Sequence, residues 1–472
     1  MTVISLEAKA DVVPPAGDLT RLLAEWAANL SYDDIPERVR AHIRLCLLDT
    51  LGCGLYGSRQ ESGQIAGRVA QRIGSGPALV WSHGARSDIA SAAMANGTAV
   101  HSFEIDDVHL SGQIHPGSVT VPAVMALVDQ LATEGLASSG EQMIVALVAG
   151  YEVGIRIGVA AGRGHGLSGF HPTGTIGAIA AAISAARFLG LDANTMRNAI
   201  ALGSTQAGGL YSTRTGGMTK RFHAGRAASS GVLSALMAQE GFTGAQDVLE
   251  ASFGGFLSSF GCDGSIQNAI AGLGEEWLCA DVGFKVFSTC ASAQTIVEGI
   301  QQLRAKGLTA ECLQRLDVYS SSISVSNVGW RYVPADLVAA QMNGGYAAAV
   351  TLLEGDAFVV QYDDAHLVDP AIVELAGKVH FHIDPLIEAG GLGLRHASRV
   401  VATLTDGRTL ETYNEQRLGG PGRAIPADRI EQKFLNLAAA ACSADKAERI
   451  RDAALGLQEL DNVTALSRLI AE

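Results

Sequence analysis

The stretch from His101 to Pro122, HSFEIDDVHLSGQIHPGSVTVP, concentrates ionisable chemistry more densely than any other part of the chain. His101, His109 and His115 alternate with Glu104, Asp106 and Asp107, and the run includes a His-Pro-Gly turn. Imidazoles interleaved with carboxylates suit acid–base work, and the same set has the ligand types to hold a divalent metal. The plainer reading is a helix end capped by Asp and His side chains.

Four further clusters stand beside it. GFHPTGT (169–175) puts His171 before a proline and a long helical pattern, and TGGMTKRFHAG (215–225) places Lys220, Arg221 and His223 ahead of another. GFKVFSTC (283–290) offers Lys285 among apolar residues, and GYEVG carries Tyr151 beside Glu152. Three of these five sites precede a helix, where unpaired N–H groups and the helix dipole favour anions. Cationic side chains at the same ends would make a pocket for carboxylates. Each cluster also has a structural reading: Lys220 and Arg221 as a solvated pair, Lys285 on an exposed strand, His171 and His223 as bonded structural histidines, Tyr151 as core. His380 and His382 share one strand face, but no third zinc ligand lies nearby. GHGLSG (164–169) matches GxGxxG by letter without a preceding strand, and there is no GxxxxGK[ST], HExxH or GxSxG.

The elements that must position these groups are mostly helices. Leu19, Leu22, Leu23, Trp26 and Leu30 recur at helical spacing, and Ile35, Val39, Ile43, Cys46 and Leu47 form a second stripe. The pattern predicts further helices at about 61–73, 87–100, 119–133, 140–160, 174–189, 192–207 and 224–240. Glycine and alanine inside these blocks allow helix backbones to approach closely. Beyond Gly283 the rhythm changes. LDVYSSSISVSNV (316–328) and KVHFHID (378–384) read as strands, and residues 399–410 read as a hairpin turning at Asp406-Gly407. Amphipathic helices are predicted at 291–306 and 335–353. The fold class is therefore mainly α with a smaller α+β domain: a helical domain over 1–275, an α+β lid over 276–405, and a return segment of the helical domain over 406–472.

Composition bounds the function. The 472 residues are 48% hydrophobic and 17% charged, as in an interior-rich globular chain. The formal net charge of -14 argues against nucleic acid or an anionic membrane as partner. Seven cysteines, with no CxxC spacing, imply neither a disulfide framework nor a zinc ribbon and point to a reducing cytoplasm. The N-terminal MTVISLEAKADVVPPAG lacks the basic and apolar regions of a signal peptide. Thr173 to Leu191 is the most lipid-like stretch, but Arg187 and small polar residues interrupt it.

Taken together in sequence order, HSFEIDDVH...HPGSV, GYEV, GFHPTGT, TKRFHAG, GFTG, FKVFSTC and NEQRLGGPGRAIP...KF resemble the motif series of the MmgE/PrpD family, from about residue 20 to 440. The resemblance implies a large helical domain built from both chain ends, a smaller α+β lid, and a cofactor-free, metal-free site between them in a homodimer. It maps the site onto Asp106 or Asp107, His115, His171, Lys220 and Lys285. The family's reactions, by the same resemblance, begin with proton removal from carbon beside a carboxylate. Lys220, Arg221 and the helix N-termini would then stabilise the resulting dianion, with Asp106, Asp107 and His223 helping to bind substrate. Lys285, apolar in its sequence setting, is the expected base, with His171 in the catalytic set. Tyr151 is the expected acid/base on the opposite face, and His115 is its competitor.

The chain departs from the family pattern at Glu104 and Val108, where relatives have aspartate and threonine. It also lacks the histidine that follows the FKxxxxC motif, reading Ala291-Ser292-Ala293-Gln294 instead. These losses favour epimerisation of an amino-acid-like polycarboxylate, iminodisuccinate being the family's example, over a hydro-lyase or decarboxylase acting on 2-methylcitrate- or cis-aconitate-like acids. A non-catalytic polycarboxylate-binding protein is the reading from another class.

Overall fold

In the computed structural model, residues 18–81, 84–391 and 393–471 are described. The N-terminal segment weighed as a signal peptide lies outside them. The first half runs α1 (Leu19–Asn29), α2 (Glu37–Gly57), α3 (Glu61–Ile73), a hairpin of β1 (Ala78–Val80) and β2 (Ala85–Ser87), then α4 (Ile89–Val100), α5 (Gly117–Thr133), α6 (Gly140–Leu167), α7 (Pro172–Phe188), α8 (Ala193–Thr205) and α9 (Thr219–Gln239). Helical periodicity located each of these helices. Their central members are apolar nearly all round because they are buried nearly all round.

Small residues set the helix spacing. A Cβ on Gly231 of α9 would lie 2.3 Å from the Ala181 methyl of α7, and one on Gly225 would lie 2.1 Å from Thr98 Oγ1 of α4. Backbones thus meet where side chains would otherwise hold them apart, and dispersion contact replaces side-chain burial. α6, rather than the 173–191 stretch, is long and apolar enough to cross a bilayer, and 94% of its most apolar window is buried inside the protein. Two helix boundaries differ from expectation with consequences for the site. α6 continues past 160 through Gly162, whose φ of 67° kinks it, and α9 begins at Thr219 rather than 224. The earlier start places Lys220 and Arg221 in its first turn.

The second half carries a four-stranded sheet of β3 (Leu313–Ser320), β4 (Val379–Ile383), β5 (Ser398–Leu404) and β6 (Thr409–Asn414), in the order β4-β3-β5-β6. β3 and β4 are parallel, and the other pairs are antiparallel. The helix Gln294–Ala305 packs on β5 and β6. The stretch 316–328 is not one strand. It stops at Ser320, and Ser321 caps a helix over Ser322–Val328 by accepting from the Ser324 N–H at 3.1 Å. The Asp406-Gly407 hairpin forms, with Gly407 at φ 86°, and joins β5 to β6. The sheet therefore extends past the boundary expected at 405.

The return to the helical half comes at the helix Ala427–Ala438, which packs on α2. There Lys433 Nζ lies 2.6 Å from Asp49 Oδ1 and donates at 2.6 Å to the carbonyl of Ile105. The late KF motif thus clamps the His101 loop from behind.

Gly117, at the start of α5, is where that loop is tightest. A Cβ there would sit 2.2 Å from Thr50 Oγ1, 2.8 Å from Tyr151 Oη and 2.9 Å from Asp107 Oδ1. Gly117→Ala is expected to destabilise the fold by about 1–3 kcal/mol through overpacking. A urea melt unchanged from wild type would show that the loop has slack it is not credited with here.

Candidate active site

A cavity of about 630 Å³ opens between the helical half and the sheet half. Three helix starts border it: His115 lies just before α5, His171 is the N-cap of α7, and Lys220 lies in the first turn of α9. Lys285 enters on the segment that crosses to the sheet domain, held by antiparallel bridging of Val108 to Gly283. Residues far apart in sequence meet because α5, α7 and α9 pack on one another with their N-termini on one side.

Glu104 organises the floor. Its backbone has φ 56° and ψ 29°, left-handed for a residue with a Cβ, a conformation that persists only where surroundings enforce it. The enforcing contacts are ionic. Lys220 Nζ and Arg221 Nη1 both donate to Oε2, while Lys285 Nζ donates to Oε1 at 3.0 Å and to the Glu104 carbonyl at 3.1 Å. Burial alone would raise the Glu104 carboxyl's pKa, but Lys220, Lys285 and Arg221 outweigh it and hold the group well below the usual range. Lys220 is itself lowered, by burial first and by its cationic neighbours, against the pull of Glu104. Lys285 therefore does not sit in the apolar surroundings that its sequence neighbours suggested. Lys220 and Arg221 are buried rather than solvated.

Behind the cavity wall lies a buried cluster of two histidines and an aspartate. His101 Nδ1 hydrogen-bonds Asp106 Oδ2 at 2.7 Å, and His115 Nδ1 approaches the same oxygen at 3.2 Å. The 2.7 Å spacing is that of a hydrogen bond, and the donor atoms of His101, Asp106 and His115 also lie within 4.8 Å of one another, close enough to share a metal ion. Burial keeps His101 neutral, pushed down to about 3. Asp106 stays ionised, held well below its ordinary range by the two imidazoles against the opposing effect of burial. His171 stacks on His101 with ring centroids 5.7 Å apart, and its Nδ1 lies 3.1 Å from His223 Nδ1.

Several expected site residues support the cavity without facing it. Tyr151, cast as a second acid/base, is fully buried and donates to Asp107 Oδ2 at 2.8 Å. Burial and Asp107 raise its phenol well above the ordinary value, the reverse of what proton exchange requires. Asp107 accepts from the Gly117 N–H at 3.1 Å, and burial with Asp49 and Asp106 raises its carboxyl. Arg221 also donates to Gln341 Oε1 at 2.7 Å, and His223 touches His171 from outside. Asp106, Asp107, Arg221, His223 and Tyr151 are thus absent from the cavity lining, whereas His115, His171, Lys220 and Lys285 are in it. Neighbouring Glu152 is structural: it pairs with Arg156 at 2.7 Å and accepts from the Cys279 N–H. His382 binds Asp317 at 2.6 Å instead of completing a metal set.

The buried imidazoles give the fold an acid limb. His42, His101, His109, His115, His165, His171, His223 and His396 are all lowered, chiefly by burial, His109 to about 4. The unfolded chain takes up these protons as pH falls through about 6.5, while the folded chain does not. Stability contributed by these groups is complete above that value and declines as pH falls toward their folded values. Raised carboxyls such as Asp107 act in the opposite direction but are fewer. The urea midpoint is expected to drop between pH 7 and pH 5.5, and a flat or rising midpoint would contradict neutral burial.

Sequence reasoning missed four basic cavity residues: Arg163, Arg395, His396 and Arg417. Arg163 follows the Gly162 kink. Arg417 lay within the NEQRLGG motif, which was the available signal. Arg395 and His396 carried none, because only the sheet register brings them in. His396 bears on the epimerase expectation, since the histidine missing at 291–294 does not leave the cavity without one. Nor is Glu104 a lost polar group, since it anchors the cationic floor.

Comparison with known proteins shows the family. An MmgE/PrpD N-terminal domain model matches residues 21–267, and an MmgE/PrpD C-terminal domain model matches residues 287–459. The chain is 31% identical to a cis-aconitate decarboxylase of Aspergillus terreus over 96% of each chain. It is 27% identical to the Homo sapiens cis-aconitate decarboxylase over 96% of this chain and 94% of that one. It is 25% identical to 2-methylcitrate dehydratase of Escherichia coli K12 over 77% and 76%. These relatives are decarboxylases and dehydratases, so the epimerase expectation gains no support. Matched over both domains and closely similar in length to its decarboxylase relatives, the chain belongs to the MmgE/PrpD family.

Proposed function

We propose that this protein is a lyase that decarboxylates a cis-aconitate-like tricarboxylate. The observation that carries the reading is the charge of the cavity. Glu104 is the one carboxylate among the described lining residues, against Arg163, Lys220, Lys285, Arg395 and Arg417. Such a cavity suits a substrate with several carboxylates, and the relatives with the highest identity named above carry the decarboxylase name.

In the proposed reaction the bond between carbon and the departing carboxylate breaks, and its electron pair becomes a new double bond. The original double bond takes a proton at its far carbon, so one CO2 leaves for each proton gained. Lys220 and Lys285 stabilise the charge that develops on the retained carboxylates, already placed by Glu104. His115, on the cavity wall 3.2 Å from ionised Asp106, takes up a proton when the substrate's carboxylates enter beside it and delivers that proton to the far carbon. Incubation with cis-aconitate is expected to release one CO2 per C5 dicarboxylate formed. Dehydration of a citrate-like hydroxy acid without CO2 release would transfer the assignment to the dehydratase branch, and inversion of iminodisuccinate would restore the epimerase.

A further inference from the structure

The cations of the cavity fall into two groups with different partners. Lys220 and Lys285 share Glu104. Arg395, His396 and Arg417, on the sheet side, form no ion pair among the described residues. Arg395 Nε, both ring nitrogens of His396 and Arg417 Nη1 are buried and unpartnered. Arg417 is 4% exposed and His396 8% exposed. Burial alone lowers the Arg417 guanidinium to about 10, with no carboxylate close enough to oppose it. A buried guanidinium with an empty donor is costly unless an anion arrives to fill it.

The fold brings these groups to one cavity. Ser398 pairs with Asn414, so the residues just before β5 and just after β6 leave the sheet at one end, toward the cavity. The backbone there is pinned by side chains. Ser321 and Ser324 both donate to the Arg395 carbonyl at 2.7 Å, and Thr295 donates to that of His396 at 2.7 Å. Arg417 Nη2 donates to the Val108 carbonyl at 3.3 Å, which leaves Nη1 unpartnered. The segment is thus organised before any ligand binds.

We propose that Arg395, His396 and Arg417 form a second carboxylate subsite, on the sheet side, that selects substrates carrying one carboxylate more than the Lys220–Lys285 side can hold. This specificity role rests on the polycarboxylate reading above, but it is tested by binding and not by turnover. The probes are the inert propane-1,2,3-tricarboxylate and glutarate, which is the same skeleton without the central carboxylate. By calorimetry the wild-type protein is expected to bind the tricarboxylate at least tenfold more tightly. Arg417→Met and Arg395→Met, each checked for a native melting profile, are expected to erase most of that preference while changing glutarate affinity less than about threefold. Equal affinity of the wild-type protein for the two acids would overturn the subsite without use of any variant. So would equal weakening of both acids in the folded variants. A protein that shows the preference but releases no CO2 from cis-aconitate keeps the subsite and loses the lyase reading. One that decarboxylates with unchanged KM in both variants does the reverse.

Discussion

Glu104→Gln is expected to cost about 3–5 kcal/mol of folding stability and to lower kcat by at least about 10²-fold. The substitution keeps shape and removes one charge. What remains is Lys220, Arg221 and Lys285 buried around a neutral amide, three cations with no anion among them. Breaking a buried ion cluster by removing its only acid strands every partner, so the penalty exceeds that of losing any one cation. The left-handed backbone at Glu104 adds to the effect, since the ionic contacts that enforce it are weakened. Urea unfolding reads the first number and steady-state turnover the second. A variant as stable as wild type would mean that the carboxylate is not the counter-ion described here.

Lys220→Met should behave differently. Glu104 keeps Arg221 and Lys285, so the one carboxylate stays paired while the excess of positive charge falls, and the stability cost is expected to be smaller than for Glu104→Gln. Catalysis has no such reserve. Lys220 lines the cavity at the start of α9, and loss of one preorganised donor to developing charge costs about 10²–10³ in kcat. The pair of variants thus separates two roles that one variant would confound. Near-wild-type kcat in folded Lys220→Met would remove it from the chemistry.

Much of this was legible in the sequence. Helical periodicity located α1 to α9, and the Asp406-Gly407 turn located the hairpin, because both signals are local. The motif series brought His115, His171, Lys220 and Lys285 to one cavity, where they stand. Roles were harder to read. Lys285 looked apolar from Phe284 and Val286, yet its amine meets the carboxylate of a residue 181 positions away. Tyr151 looked reactive beside cations, yet its partner is Asp107. Both depend on long-range pairing that no sequence window contains. Arg395 and His396 were invisible for the same reason, since strand register and serine side chains from β3's end aim that segment. The epimerase expectation rested on a related point: it treated a histidine absent from one motif as absent from the site, although a distant segment supplies one.

The central claim is that a cation-lined cavity splits CO2 from a tricarboxylate and replaces it with a proton. Its most direct test is incubation of the wild-type protein with cis-aconitate in D2O, following evolved CO2 and the deuterium content of the product. One CO2 per product molecule, with a single deuterium on carbon, is the expected result. Deuterium exchange into iminodisuccinate with no CO2 from cis-aconitate would contradict it.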